Sequence, residues 1–398
     1  MMKTTLLALF ILITSLLPAS ALDENLTESC VTDYAAEVDY FPDKIEILDA
    51  SKFTVEYFNN YKVLSVADAF DGAPGFHYVL VQCGTPAPPP ADFPEGTQFI
   101  KVPAGDLITL STTQLPALSQ LDLLDHLVGV DSGFYISTPE VVRMIADGAV
   151  AEVGFGAEVN IELVLELQPQ LVMSYGYNPA SDAHPVLLKA GIFTALDASW
   201  RELSPLGRAE WLKFTALFYN REAQASAIYQ DIAAKYDAVK GMAAAVAADD
   251  RPNVLINSFL GYADAWFIPG EETYVGRLIR DAGGDLLLAE AGSTTSQGLS
   301  FEVALEVGFD ADIWLVETFG IYSGAGLLAL DSRFGDFAPF QSGDIWNNNR
   351  DENANGGNNY YEAGVTNPHL VLADLLAIFH PDLMPAHEFA FYQRLASE

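Results

Sequence analysis

The residues of this 398-residue chain that could do chemistry are carboxylates at strand ends, six scattered histidines and aromatic side chains beside glycines. Asp131 closes the apolar run Leu127 to Val130, and Glu317 closes the run Ile313 to Val316. Two carboxylates on facing strand ends could share acid and base roles in hydrolysis. This is the one acid pair that would support an enzyme. The sequence has no GxSxG, no P-loop and no paired-cysteine metal site. His77, His126, His184, His369, His380 and His387 form no HxH or HExxH, and none pairs closely with a carboxylate at ligand spacing. A bare divalent ion would need such a donor set, so no metal site is expected and any metal should arrive already chelated. The balance favours binding over catalysis.

A second pair of carboxylates recurs in a repeated segment. NIELVLELQPQLVMSYG (160–176) and SFEVALEVGFDADIWLVETFG (300–320) each open on a helix-capping residue, carry a glutamate two positions later, and run through a short apolar helix into an all-apolar strand. Glu162 and Glu302 thus fall in a first helical turn, where the helix dipole favours negative charge. The strands lack polar alternation, which suits parallel strands buried on both faces. Each copy belongs to its own α/β lobe, with a cleft between.

Between the copies lies PLGRAEWLKFTALFYNREAQASAIYQDIAAKYDAVKGMAAAVAA (205–248), with apolar residues at helical spacing and Pro205 fixing its start. Asn220 can adopt a left-handed stop that divides it. One helix over 221–247 would be about 40 Å long, enough to span two lobes.

The first 21 residues read as an export signal: a short basic end, the apolar run Leu6 to Leu17, and Ala19-Ser20-Ala21 as a cleavage site. A retained anchor is the alternative, although the run is short for a span. Formal net charge is −35, with 54 acidic against 19 basic residues. That argues against nucleic acid or an anionic membrane as partner. The only two cysteines, Cys30 and Cys83, would close one long disulfide loop in an exported protein. Residues 22–96 read as a β-rich extension ending in a proline-rich connector, TPAPPPADFPEG (85–96), with turn signals at Asn59-Asn60 and Asp71-Gly72. The remaining divisions are a first lobe at 97–204, the connecting segment at 205–248 and a second lobe at 249–398.

From residue 100 to 395 the chain resembles the substrate-binding proteins of ABC importers for iron–siderophore, haem and cobalamin. The strand–Ser/Thr–helix–VGVD opening, the repeat, the connecting segment, WFIPGEETYVGRLIRDAGGD (266–285) and NPHLVLADLLAIFHPDLMP (367–385) carry the likeness through their order and spacing. The resemblance implies two Rossmann-like α/β lobes rigidly joined by one long helix, here with the N-terminal β-rich extension added. It implies an exported monomer, no cofactor and no enzymatic activity, with ABC permease transmembrane subunits as partners. It also gives Glu162 and Glu302 a role, one docking carboxylate per lobe for permease arginines.

The ligand cleft should lie at the C-terminal ends of the strands. In the first lobe the candidates are Asp131, Tyr135, Phe155, Tyr175 and Tyr177, with Tyr175 where cobalamin-binding members carry an aromatic. In the second they are Tyr262, Trp266, Phe319 and Tyr322, with Arg350 and Tyr360 from the asparagine-rich loop 346–364. Trp314, inside an apolar strand, reads as core, and Ser111 to Thr113 read as helix caps. Aromatics and amides suit a ferric siderophore; cobalamin, haem and a free metal are alternatives. An exported receptor or scaffold and a hydrolase are alternatives of another class.

Overall fold

The computed structural model describes residues 22–257 and 265–396, together with the backbone of 259–260. The export signal at 1–21 and Tyr262 lie outside the described residues.

The chain first builds a four-stranded sheet from β1 (Phe53–Tyr57), β2 (Tyr61–Val66), β3 (Phe76–Gln82) and β4 (Gln98–Val102). The first three strands form an antiparallel meander, and β4 returns parallel to β3. β4 comes from beyond residue 96, so the sheet draws on both sides of the proline-rich connector. Asn59-Asn60 and Asp71-Gly72 lie in the turns, Gly72 with the positive φ of +76° that a Cβ would disfavour. Cys30 and Cys83 are disulfide-bonded, with Cα atoms 4.8 Å apart.

The first lobe is an all-parallel sheet of β5 (Leu107–Thr109), β6 (Leu127–Val130), β7 (Ala151–Glu152), β8 (Leu171–Tyr175) and β9 (Thr194–Asp197), in the order β7-β6-β5-β8-β9. Its central strands have apolar cores on both faces, as their uninterrupted hydrophobicity requires. One of those cores is continuous with the N-terminal sheet: Phe53, Leu64, Tyr78 and Ile100 pack with Leu107, Leu171 and Phe214. The extension is therefore fused to the first lobe.

The connecting segment forms three helices, Pro205–Glu210, Leu212–Leu217 and Glu222–Ala243. Asn220 takes the left-handed conformation, φ +55°, and separates the last from the others. That linking helix has 22 residues, about 33 Å at 1.5 Å per residue, shorter than the expected 221–247. Its buried stripe ends at Ala243, and the alanines beyond have little apolar surface to pack. Ala225, Tyr229 and Ile232 belong to the core of the first lobe, whereas Tyr236 belongs to that of the second. One helix thus enters both cores.

The second lobe contains β10 (Asn253–Ile256), β11 (Phe259–Leu260), β12 (Ala265–Ile268), β13 (Asp285–Leu286), β14 (Gln297–Leu299), β15 (Ile313–Leu315), β16 (Ile345–Asn347) and β17 (Gln393–Arg394). Its main sheet runs β13-β10-β15-β16-β17, parallel except for β17, and β11-β12-β14 form a small antiparallel sheet beside it. Trp314 is fully buried on β15. Trp266, expected in the cleft, is fully buried too: its indole donates to the Ile256 carbonyl at 2.7 Å and packs among Trp314, Phe334 and Phe337. Strand alternation on β12 turns it inward.

Buried charges fasten the extension to the connecting segment. Lys62, on the inward face of β2, is fully buried and pairs with equally buried Glu222 at 2.6 Å, also donating to Leu217 O and Asn220 Oδ1. Glu222 accepts a further bond from Asn25. Glu210 accepts from the backbone amides of Leu48, Asp49 and Ala50 and from Lys213, while Glu202 accepts from Ser51, the Lys52 amide and the Trp211 indole. Each carboxylate has its charge matched by several donors, which makes its burial affordable.

Candidate ligand-binding cleft

The C-terminal ends of β5, β6 and β8 face the loops after β15 and β16 across a cavity of about 810 Å³. Leu110, Ser111, Thr112, Asp131, Tyr135 and Tyr175 line it from the first lobe, and Phe319, Gly320, Tyr322, Glu352 and residues 354–358 from the second. Tyr135, Phe319 and Tyr322 are exposed, and Tyr175 is half-exposed. The Tyr322 hydroxyl donates to Glu352 at 2.8 Å. Burial pushes the Asp131 carboxyl up, partly offset by the Ser132 amide that donates to it at 2.7 Å. Burial, then the nearby Asp131 and Asp182, raises the Tyr175 phenol. Aromatic rings and two carboxyls, those of Asp131 and Glu352, thus line this compartment, and no basic side chain among the described residues does.

A second cavity, about 690 Å³, adjoins it through Tyr361, which lines both. A hollow of about 150 Å³ also shares Ser111 and Tyr175 with the first cavity and Trp200 with the second. The cavities between the lobes thus adjoin one another but differ in chemistry. The second cavity is lined by Tyr177, Trp200, Arg201 and Arg208, by Tyr274, Thr294, Thr295 and Ser296, by Glu317, and by Lys52, Asp68 and Asp71 of the extension. The extension reaches this rim because Gly176 lets Phe70 pack close after β8: a Cβ there would stand 2.6 Å from the Phe70 ring. Glu317 sits in the left-handed region at φ +43°. Burial raises its carboxyl to about 7, against a 2.5 Å hydrogen bond from the Tyr392 hydroxyl.

The groove brings together Asp131, Tyr135, Tyr175, Phe319 and Tyr322 in one compartment, and Tyr177 and Tyr360 in the other. Phe155 and Arg350 line neither. Phe155 is exposed ahead of a short turn at 156–158, and Arg350 is exposed, its backbone amide donating to Phe391 O. Tyr360 is almost wholly buried against Phe391 and Tyr392, so it forms cavity wall with little free surface. Asp131 and Glu317 line different cavities, which separates the acid pair considered for hydrolysis.

The asparagine-rich loop acts mainly as a brace. Asn347 and Asn349 donate to the Ile321 carbonyl, and Asn353 and Asn355 donate to backbone carbonyls of 134–136 in the first lobe. Buried Glu362 accepts from the amides of Ser137 and Thr138 at 2.8 Å, and from the Thr138 hydroxyl. These contacts tie the lobes together. Ser111 both caps its helix, accepting from Thr113 N, and lines the aromatic cavity.

Sequence reasoning missed Lys52 of the extension, Arg201 in the turn after β9, Arg208 of the connecting segment, Tyr274 at the start of a second-lobe helix and the run 294–296 just before β14, because only the packing of these separate segments brings them to one cavity. Glu162 and Glu302 each occupy the second position of their repeat helix, Ile161–Leu167 and Phe301–Gly308, and both are exposed. Neither has a basic partner within 4 Å among the described residues. Among those residues no group of three or more His, Cys, Asp or Glu side chains is arranged to hold a metal, and no helix is long and apolar enough to cross a membrane.

Two α/β lobes pinned by one helix, with a groove at the strand ends, define a bilobal extracytoplasmic binding protein, the class that serves ABC importers. The family model described as periplasmic binding protein matches residues 107–330, more than half of the chain, and the chain belongs to that family. It is 24% identical over 340 residues to an uncharacterised lipoprotein of Methanocaldococcus jannaschii, covering 81% of this chain and 77% of that one. Its fold is similar to that of a molybdate periplasmic binding protein of a Haemophilus influenzae ABC transporter (17% identity, 72% of this chain and 89% of that one, TM-score 0.53). It is also similar to that of a periplasmic haem-binding protein from Pseudomonas aeruginosa (18% identity, 70% and 93%, TM-score 0.51).

Proposed function

We propose that this exported binding protein captures a chelated metal, with ferric siderophore as the leading cargo, in the groove between its lobes and delivers it to the permease subunits of an ABC importer. In this reading the lobes are 97–204 and 249–398, joined by 205–248, and the protein acts as a monomer. The observation that carries it is the 810 Å³ compartment at the strand ends, rimmed by Tyr135, Tyr175, Phe319 and Tyr322. That volume suits a ligand of several hundred daltons, and exposed aromatic rings in a concave site suit aryl or planar chelates. The same rings favour haem as the second reading, since they offer flat faces to a macrocycle.

The test is quenching of tryptophan fluorescence on titration of the processed protein with ferric siderophores of several chemistries, haem, cobalamin and free divalent ions. Half-exposed Trp200 stands at the rim of the groove and serves as reporter. Saturable sub-micromolar quenching by a ferric siderophore is expected. Quenching by haem alone moves the cargo to the second reading, and binding of only a free ion overturns the chelate reading.

A further inference from the structure

The smaller cavity differs from its aromatic neighbour in the state of its charges. Of the basic side chains among the described residues, only Lys101, Lys189, Arg208 and Arg350 have no carboxylate within 4 Å. Lys101, Lys189 and Arg350 are exposed, so water screens them; Arg208 is half-buried. Its guanidinium lies 4.1 Å from the centre of the Tyr274 ring and donates to two neutral acceptors, Glu202 O at 3.2 Å and Trp200 O at 2.8 Å. These contacts fix its direction without neutralising it. Burying a cation with no counter-ion is costly, and burial does depress the Arg208 guanidinium.

The other charges of the cavity are already spoken for. Lys52 pairs with Asp68 at 2.9 Å, and Arg201 with Asp68 at 3.0 Å and Asp71 at 2.9 Å. The Glu202 carboxylate is occupied by Ser51, the Lys52 amide and Trp211. Glu317 receives the Tyr392 hydroxyl. Tyr274 is buried and its hydroxyl has no hydrogen-bond partner among the described residues. What remains is one oriented cation in a roomy, hydroxyl-rich cavity that shares the Tyr361 wall with the aromatic compartment. Lys52, Asp68 and Asp71 come from outside the family-matched residues 107–330, so this compartment owes one wall to the extension.

We infer that the 690 Å³ cavity is a second compartment of the groove that receives an anionic oxygen group, such as a free carboxylate, carried on the chelate, with Arg208 as its counter-ion. The inference rests on the chelate-binding reading and adds a charge requirement to it. A guanidinium held by two carbonyls and a ring face can still meet a carboxylate through its remaining N–H groups.

The test compares three probes by fluorescence titration: ferric citrate, iron-free citrate, and a ferric tris-hydroxamate of no net charge. The proteins are the wild type, Arg208→Gln and Arg208→Lys, each first checked for an unchanged thermal unfolding transition. Arg208→Gln should weaken ferric citrate by roughly tenfold or more, the loss of one charge-assisted contact, and leave the neutral chelate within about twofold. Arg208→Lys should keep part of the affinity, and wild-type binding of ferric citrate should weaken with added salt more steeply than that of Arg208→Gln. Equal loss for charged and neutral chelates, or no loss for either, overturns the inference while the chelate reading stands. So does a wild type that binds only the neutral chelate. Iron-free citrate binding as tightly as ferric citrate would make the site one for a free anion and overturn the link to the chelate. A wild type that binds no ferric chelate of either charge removes both the reading and the inference.

Discussion

Glu317 concentrates the tension between stability and function at a single residue. It stands at the end of an apolar strand, in a left-handed backbone conformation, with the Tyr392 hydroxyl as donor and no cation within 4 Å among the described residues. Its folded carboxyl ionises near 7, whereas an unfolded glutamate ionises near 4.3. Between those values the folded protein holds a proton that the unfolded chain releases, so the contribution of Glu317 to stability is fully present below pH 4.3 and is lost as pH rises through 7. Replacing Glu317 with Gln should remove that component. Thermal melts at pH 5 and pH 8 should show a smaller drop in Tm for the variant than for the wild type; an unchanged drop would place the titration elsewhere. Trp266 is the contrasting case at the same scale. Tryptophan in a short strand reads equally well as contact or core, and only the pairing of β12 turned it inward beside Trp314.

At the scale of elements, the connecting segment and the extension form one mechanical unit. Asn220 breaks the helix where Lys62, Glu222 and Asn25 meet, so the charge cluster sits on the start of the linking helix. Lys62→Met leaves Glu222 buried beside neutral donors and should cost about 3–5 kcal/mol in urea unfolding. The double variant Lys62→Met with Glu222→Met should recover part of that loss, because no uncompensated charge remains; a double variant weaker than the single would refute the pairing. The break at Asn220 was legible in the sequence, since asparagine tolerates positive φ. The buried lysine was not: on an alternating strand its polarity assigns it to the solvent face, and the carboxylate that makes its burial tolerable lies 160 residues away.

For the whole molecule, the lobes are joined by more than the helix. Glu362 bridges to Ser137 and Thr138, and Asn353 and Asn355 reach the backbone of 134–136, so the groove is braced from the second lobe. Such bracing suits a binding protein presented to a permease as one rigid body with a carboxylate on each lobe. If Glu162 and Glu302 are those carboxylates, reversing both to Arg should abolish ligand uptake in cells or vesicles while leaving ligand affinity unchanged in solution. Uptake at the wild-type rate would dismiss the docking role. The two sites lie on first helical turns, so each reversal should also cost a few tenths of a kcal/mol through the helix dipole, too little to unfold the protein.

The sequence by itself determined the elements that local physics controls. Uninterrupted apolar runs specified buried parallel strands, capping residues with glutamates two positions later marked the repeat, and helical spacing with Pro205 and Asn220 marked the connecting segment. It also marked part of the aromatic compartment, because Tyr175 ends a strand and Asp131, Tyr135, Phe319 and Tyr322 lie in the segments that follow strand ends. Only the tertiary structure decided what depends on contacts between distant segments. It fused the extension to the first lobe through Lys62, Glu202 and Glu210, buried Trp266, turned Arg350 out of the groove, and set Arg208 in a cavity whose walls come from three parts of the chain. A side chain's type limits what it can do, but its charge state and its neighbours are set by burial, and burial follows from how the sheets and the linking helix pack.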